Sequence, residues 1–406
     1  MDFSPVVLTE AQQAFAEEVR ALLDELLTPA VYAGMRERAD SYDEGVYLAV
    51  GAKGWLEPRW RKEEGGADLD DVSVKILETE LRNRDTPIGV LSTTNLVWPA
   101  VEASGDPGLR DELKPGVAKG TVRIALGYTE PDGGSDIAAA KTRAVRDGDE
   151  WVINGQKIFT SNAQYATHVF LITRTDPTLP KHKGLTMFLV PTSSPGFERQ
   201  PLPTIGDETT NISYYSDIRL SDRYRIGEVN NGWSTLHGPL DAEHHLGEHT
   251  SKLEAVGPGA NIVHNLARSV EAAMGWAKDA PDGDGPLIDD EEFLTGIGHL
   301  LTEMEASACT PTAMGKVKGS DTARLGFEQL IDMIGPAATL PRGADGAIGD
   351  GIIEFGHRQA QHSATPGGTV EVFRTIIAQH DPGLPRPDYP GRRAFLTGDR
   401  PAASAA

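Results

Sequence analysis

The order of patterns along this chain predicts an α+β architecture in which a central antiparallel β-domain is inserted between two helical domains. Three observations carry that prediction: helical periodicity before residue 124, short β-rich runs with turn dipeptides from there to about 227, and helical texture again after Trp233. At 406 residues the chain can bury two or three packed units of one enzyme-sized subunit. The divisions read as residues 1–123 for the N-terminal helical domain, 124–230 for the β-domain, 231–381 for a C-terminal helical bundle and 382–406 for a tail.

The first helix is predicted over residues 9 to 27, where Thr9 and Gln12 stand at capping-box spacing and Phe15, Val19, Leu22, Leu23 and Leu26 share one face. Further helices are expected around 43 to 53 and 70 to 83, separated by the loop Arg61-Lys62-Glu63-Glu64-Gly65-Gly66. The β texture comprises Thr142 to Val145, Trp151 to Ile153, Val169 to Thr173, Leu185 to Val190 and Ile212 to Leu220. Asp147-Gly148 and Asn154-Gly155 supply turn signals between the first of these. In the last third, Gly257-Pro258-Gly259 and the loop from Asp279 to Pro286 are incompatible with helix interior. The tail, rich in Pro, Arg and small residues, reads as a surface arm.

Sixty acidic against 38 basic residues give a formal charge of −22, which opposes nucleic acid and anionic lipid over most of the surface. A small anionic ligand remains compatible, because helix N-termini and glycine-rich turns bind phosphates locally. No apolar run is long enough to span a bilayer, and the start Met1-Asp2-Phe3-Ser4-Pro5 lacks a secretory pattern, so a cytoplasmic location is expected. Cys309 is the only cysteine, which rules out an internal disulfide and is read as a small core residue.

Two stretches of the β-domain are the most informative. One is Tyr128-Thr129-Glu130-Pro131-Asp132-Gly133-Gly134-Ser135-Asp136, and the other is Trp151-Val152-Ile153-Asn154-Gly155-Gln156-Lys157-Ile158-Phe159-Thr160-Ser161-Asn162. Gly133 and Gly134 let backbone N–H groups approach a ligand, while Thr129, Ser135 and Ser161 offer hydroxyls. Either stretch alone reads as a tight turn. Together they resemble the acyl-CoA dehydrogenase family, whose pattern is T-E-P-x-x-G-S-D followed about twenty residues later by G-x-K-x-W/F-x-T/S-N. Gly54-Trp55-Leu56 before Glu63-Glu64-Gly65-Gly66, and Lys316 with Ser320, Asp321 and Ala323, extend the resemblance over most of the chain.

The resemblance implies FAD as cofactor and an acyl-CoA thioester as substrate. Thr129 and Tyr128 would meet the isoalloxazine edge, Gly134 and Ser135 would lie by the pyrophosphate, Ser161 near the reactive N5, and Phe159 over the ring. Thr369 and Glu371, in a C-terminal segment of the same pattern, join the cofactor contacts. Dehydrogenation removes a proton from Cα, so a carboxylate is needed there. The family pattern places it first in a Glu-Gly-Thr triplet, and here Pro366-Gly367-Gly368-Thr369-Val370-Glu371 puts Gly367 at that position. Some relatives carry the base on the first helix after the β-domain, and Glu243 falls there in a similar segment. Gly367 would retain a backbone N–H for the thioester oxygen and widen the pocket. A helical Glu without that context reads as a solvated surface residue.

Two further features bear on metals and partners. His245-Leu246-Gly247-Glu248-His249 matches an H-x-x-E-H zinc-peptidase pattern, but five degenerate positions without a third ligand read better as solvated or interface histidines, and no metal is expected. The family's R-x-x-F-G and Q-x-x-G-G segments, which reach a neighbour's FAD, have no counterpart. The acidic loop Asp279 to Pro286 and Asp332-Met333-Ile334-Gly335-Pro336 stand in their places. The resemblance therefore implies a second acyl-CoA-dehydrogenase-like subunit in an α2β2 assembly, as in actinobacterial sterol breakdown, with a bulky acyl-CoA and electrons passing to an electron-transfer flavoprotein. The competing readings are an inactive structural partner subunit, and an oxidase or monooxygenase on the same fold.

Overall fold

The computed structural model describes residues 7–243, 259–282, 285–380 and 383–385. Helix α1 (Glu10–Leu26) opens with the expected capping box: Thr9 Oγ1 accepts from the Gln12 N–H at 3.2 Å, and Gln12 Oε1 accepts from the Thr9 N–H at 3.0 Å. Its buried stripe is Ala16, Val19 and Leu23, flanked by half-buried Phe15, Leu22 and Leu26. Helices α2 (Pro29–Arg38), α3 (Glu44–Ala52), α4 (Asp71–Asn83), α5 (Val90–Ser104) and α6 (Pro107–Lys119) complete the N-terminal region. Aspartates cap three of them: Asp43, Asp70 and Asp106 each accept from an N–H in the first turn.

An eight-stranded sheet follows: β1 (Ile124–Gly127), β2 (Arg143–Asp147), β3 (Glu150–Lys157), β4 (His168–Arg174), β5 (Leu185–Pro191), β6 (Phe197–Pro203), β7 (Thr209–Ser221) and β8 (Arg225–Ile226). The strand order is β6-β7-β3-β2-β4-β5-β8, with β1 added beside β4. Most pairs are antiparallel, as expected, but β1 and β2 both join β4 in parallel. Parallel neighbours need a long crossover, and the chain between β1 and β4 provides one by containing the whole β2–β3 hairpin.

Strands β4 and β5 are buried on both faces, which is why their centres, Val169–Ile172 and Met187–Val190, read as continuous apolar runs. Phe170, Ile172, Leu185, Met187 and Leu189 pack towards α5 and α6. Val169, Leu171, Phe188 and Val190 meet Trp151, Ile153, Tyr215 and Ile218 on the opposite side. The sheet is thus the centre of two cores.

Helix α7 (Gly232–Glu243) leaves the sheet and packs against α5 and β5. After it come α8 (Gly259–Ile262), α9 (His264–Ala277), α10 (Glu291–Cys309), α11 (Thr312–Ile334), α12 (Ile352–His362) and α13 (Val370–His380). The loop expected between Asp279 and Pro286 contains a two-residue pairing of Pro281–Asp282 with Gly285–Pro286. Cys309 corrects the sequence reading, because it is exposed rather than in the core. The buried stripe of α10 runs through Phe293, Ile297, Leu300, Met304 and Ser307, and Cys309 falls off it at the helix end. Among the described residues no helix is long and apolar enough to cross a membrane.

Candidate functional site

The two informative stretches meet in the folded chain. Ile158 donates its N–H to the Thr129 carbonyl at 2.9 Å, carrying the strand direction of β3 onto the segment after β1. One position earlier, Lys157 points inward and is fully buried. Its Nζ donates to Glu130 Oε1 at 2.7 Å and to the Tyr128 carbonyl at 3.2 Å. Glu130 is buried too, and it accepts from the N–H groups of Lys141 at 2.7 Å and Thr142 at 2.8 Å. Burial pushes the Lys157 ammonium down to about 8 against the pull of Glu130. For Glu130 burial acts upward, but the Lys157 charge and the donated hydrogen bonds hold it below the usual carboxylate range.

Gly155 explains how Thr142 passes so close beneath β3. Its φ is +150°, at a register shift in the β3–β7 ladder, and an added Cβ would stand 2.7 Å from the Thr142 Cα. A side chain there would lift the Glu130-binding segment off the strand.

Above this buried link the turn is open. Gly134 and Ser135 are exposed, and their N–H groups make no hydrogen bond among the described residues. Thr129 is half-buried beside them. Tyr128 is 8% exposed, with its ring in the core and edge-on to Phe170 at 6.3 Å, so what reaches the turn surface there is backbone and the neighbouring threonine. Phe159 is 57% exposed and has φ +59°, a left-handed conformation that a bulky residue rarely adopts. Ser161 is exposed and its hydroxyl pairs with Thr210 at 3.2 Å. Thr160, between them, is buried and hydrogen-bonds Ser213 at 2.9 Å, which fixes the alternation of this turn.

The C-terminal stretch is built differently. Gly367 and Gly368 have φ +68° and +97°, so both need glycine's freedom. The preceding turn is tied to α11: Lys316 Nζ donates to the carbonyls of Ser363 at 2.6 Å and Pro366 at 3.1 Å, and Ser320 donates to Ser363 at 2.9 Å. Thr369 caps α13 by accepting the Val372 N–H at 3.3 Å. Glu371 is exposed, and its carboxylate is held below the usual range by its own N–H and then by the Thr369 hydroxyl.

Helix α12 connects this stretch to the sheet. Arg358 donates to Asp207 at 2.7 Å and to the Ile205 carbonyl at 2.8 Å, both on the tip of the β6–β7 hairpin, and Gln359 donates to Gly206 at 3.3 Å. A cleft of about 170 Å³ lined by Glu208, Asn265, Gln359, His362 and Ser363 lies at this junction.

The structure therefore joins the two stretches directly at Ile158–Thr129 and Lys157–Glu130, with Gly134 and Ser135 on the exposed turn that follows Glu130 and the Phe159–Ser161 turn directly after Ile158. Among the described residues, the segment of Gly367, Thr369 and Glu371 is linked to the sheet through α12 and the hairpin tip. Glu243 is the last residue of α7, and its side chain lies outside the described residues, as do His245 and His249. Among the described residues no group of acidic, histidine or cysteine side chains is placed to hold a metal.

Several residues quoted in the family patterns had no role assigned to them from sequence. Lys157 had a visible signal, a cation on the inward-facing alternation Trp151, Ile153, Lys157 of β3. Lys316 and Ser320 were noted only as part of a pattern, and their task of holding the 363–366 turn depends on carbonyls more than forty positions away.

Comparisons with known proteins bear on the family and the fold. The family model described as acyl-CoA dehydrogenase, N-terminal domain, matches residues 9–121, and the one described as acyl-CoA dehydrogenase, middle domain, matches residues 125–218. Acyl-CoA dehydrogenase FadE26 of Mycobacterium tuberculosis is 32% identical, the alignment covering 93% of this chain and 98% of that one. Among solved structures, one described as the Tcur3481-Tcur3483 steroid ACAD superposes with a TM-score of 0.81 at 30% identity, covering 95% of this chain and all of that one. The ChsE4-ChsE5 complex from Mycobacterium tuberculosis gives a TM-score of 0.78, also at 30% identity and 95% coverage of this chain, again over all of that one.

Proposed function

The chain belongs to the acyl-CoA dehydrogenase family, and from that premise we propose that it is the FAD-holding, catalytic subunit of a heteromeric enzyme. Its reaction would introduce an α,β double bond into a bulky, steroid-like acyl-CoA thioester. The observation that carries this reading is the pair of turns joined beneath by the buried Lys157–Glu130 link and by Ile158 to Thr129, with Gly134, Ser135, Phe159 and Ser161 exposed on the two turns beside that junction.

The donor set suits FAD. It consists of neutral hydroxyls and free N–H groups on exposed turns, which match the carbonyls and ring nitrogens of a flavin and the oxygens of its pyrophosphate. Thr129 and Ser161 would bind the ring, Gly134 and Ser135 the phosphates, and Phe159 would cover one face of the ring from a backbone conformation that holds it out of the core. Thr369 and Glu371 would approach from the first turn of α13. Held by these residues, FAD would supply the hydride-accepting chemistry for Cβ.

The remaining chemistry belongs to the chain. Glu243, at the end of α7, would take the proton from Cα, and the Gly367 N–H would donate to the thioester oxygen, on which charge builds as that proton leaves. Gly367 adds no side chain, so the space a glutamate would fill is left to the acyl group. Reducing equivalents would then pass to an electron-transfer flavoprotein. The steroid-like substrate and the second, related subunit are supported by the two solved relatives, one described as a steroid ACAD with two named chains and the other as a complex. Asp332 and the acidic loop from Asp279 also stand where a self-sufficient subunit would need cationic or amide groups for a neighbour's cofactor.

Gly367 equally favours a second reading, in which the chain is the structural partner of a catalytic subunit. One experiment separates the two: co-expression with a second acyl-CoA-dehydrogenase-like chain encoded beside it, followed by flavin absorbance and a ferrocenium assay with bulky and linear acyl-CoAs. The proposal expects flavin and turnover in the complex, both abolished by substitutions in this chain's turns. Turnover that survives those substitutions assigns the chemistry to the partner. Equal flavin content in the isolated chain contradicts the heteromer.

A further inference from the structure

The Phe159–Asn162 turn contains two non-glycine residues in the left-handed region, Phe159 at φ +59° and Asn162 at φ +61°. Such conformations persist only where surrounding contacts over-determine them. Part of the restraint is local, through Thr160 to Ser213 and through Asn211, whose Nδ2 donates to the Thr160 carbonyl at 3.2 Å and to Gln164 Oε1 at 2.6 Å. A second part converges on Tyr165. Its N–H donates to the Asn162 carbonyl at 3.0 Å, and the Tyr165 carbonyl accepts from Arg123 Nε at 2.6 Å. Its ring stacks on Tyr42 with centroids 4.2 Å apart, and its hydroxyl donates to Asp40 Oδ2.

Asp40 lies far from the turn in sequence, just past the left-handed C-cap Ala39 of α2. Its side chain is only 4% exposed. It also accepts from Arg38 Nε and the Tyr42 N–H, both at 3.3 Å. The same loop holds the strand that faces Ser161: the Thr209 N–H donates to the Ala39 carbonyl at 2.8 Å, one residue before the Thr210 that pairs with Ser161. A single short loop of the N-terminal helical region thus grips both walls of the Ser161–Thr210 contact.

We infer that Asp40 and Tyr165 are positioning residues, a strut from the α2–α3 loop that holds Phe159 and Ser161 in the geometry the flavin requires. The inference rests on the proposed flavin site but goes beyond it, because neither residue touches the turn's exposed face. Burial, and after it the hydrogen bond to Asp40, raises the Tyr165 phenol to about 12, so it remains a donor throughout the working range of pH. A misplacement of about 1 Å at reacting groups lowers a rate by up to about a hundredfold.

The test uses the full chain and two readouts. Tyr165→Phe removes the hydroxyl and keeps the ring stack, while Asp40→Asn keeps an acceptor oxygen and Asp40→Ala removes it. Hydrogen exchange of the peptide spanning 158–166, read without cofactor, should accelerate about tenfold in Tyr165→Phe and Asp40→Ala and less in Asp40→Asn, with α10 and α11 unchanged. In the co-expressed complex, kcat should fall in the same order while KM for the acyl-CoA stays within about twofold, which a general loss of folding would not produce. Unchanged exchange in both Tyr165→Phe and Asp40→Ala, or loosening spread evenly over the chain, overturns the strut. A parent complex without flavin counts against the proposed function alone, since the exchange measurement still decides the strut.

Discussion

The two walls of the candidate site are held by opposite means. The turn pair from β1 and β3 is fastened from beneath by a buried ion pair and by strand hydrogen bonds, so its exposed hydroxyls and N–H groups stand on a stiff base. The Gly367–Glu371 stretch begins on two glycines, follows a turn whose carbonyls accept from Lys316 and Ser320, and has Gly367 at the place where the resembled family pattern has a glutamate. Under the proposed function, binding and proton transfer would be separable: the first wall is specified within one sheet, whereas the second would supply space and an N–H and leave the base to α7.

The sharpest way to break that contrast is to remove the proposed base. Glu243→Gln should lower turnover of the complex about 10²–10⁴-fold with flavin content unchanged, measured by ferrocenium reduction. If turnover stays near the parent's, proton abstraction belongs elsewhere and the division between the walls is mistaken.

The stiffness of the first wall is tested at its buried pair. Lys157→Met leaves the Glu130 carboxylate buried without its cation, and urea denaturation should report a loss of about 3–5 kcal/mol together with loss of bound flavin. Combining it with Glu130→Gln should recover part of the stability, because the uncompensated charge is gone.

A third measurement asks whether buried charge is confined to that wall. Glu57, in the N-terminal region, is buried with one carboxylate oxygen lacking a hydrogen-bond partner. Burial, reinforced by the Glu102 charge and opposed by Lys114, raises it to about 7. The unfolded carboxyl titrates near 4.3, so between about 4.3 and 7 the folded state binds more protons and stability falls as pH rises. Glu57→Gln should remove that slope, with the gap between variant and parent growing to at most about 4 kcal/mol by pH 8. A constant gap across the window would contradict the buried assignment. The smallest effect is expected at the second wall: Ser320→Ala deletes one donor to Ser363 and should cost about 1 kcal/mol, with faster exchange in the 363–369 turn.

How much of this was readable in advance follows the distance between partners. The Thr9 capping box and the helix boundaries near 44–52 and 71–83 depend on residues within a turn of each other, and the sequence pattern located them. The twin turns were legible because a shared pattern marks both. Their junction was not, since Lys157 and Glu130 are 27 positions apart and Asp40 and Tyr165 are 125 apart, and only the folded sheet brings either pair together. The parallel joins of β1 and β2 to β4 are tertiary in the same sense. Cys309 was misplaced because residue type was weighed where helical phase decides burial. The roles of Glu243 and Gly367 came from family resemblance, and no spacing rule assigns them.

The most direct test of the central claim is an anaerobic titration of the co-expressed complex with a steroid-like acyl-CoA, following the visible flavin band. The account expects flavin to co-purify, its band to bleach with the bulky thioester, and both properties to depend on Thr129, Ser135 and Ser161 of this chain. A complex whose flavin binds and bleaches normally after those hydroxyls are removed would contradict it.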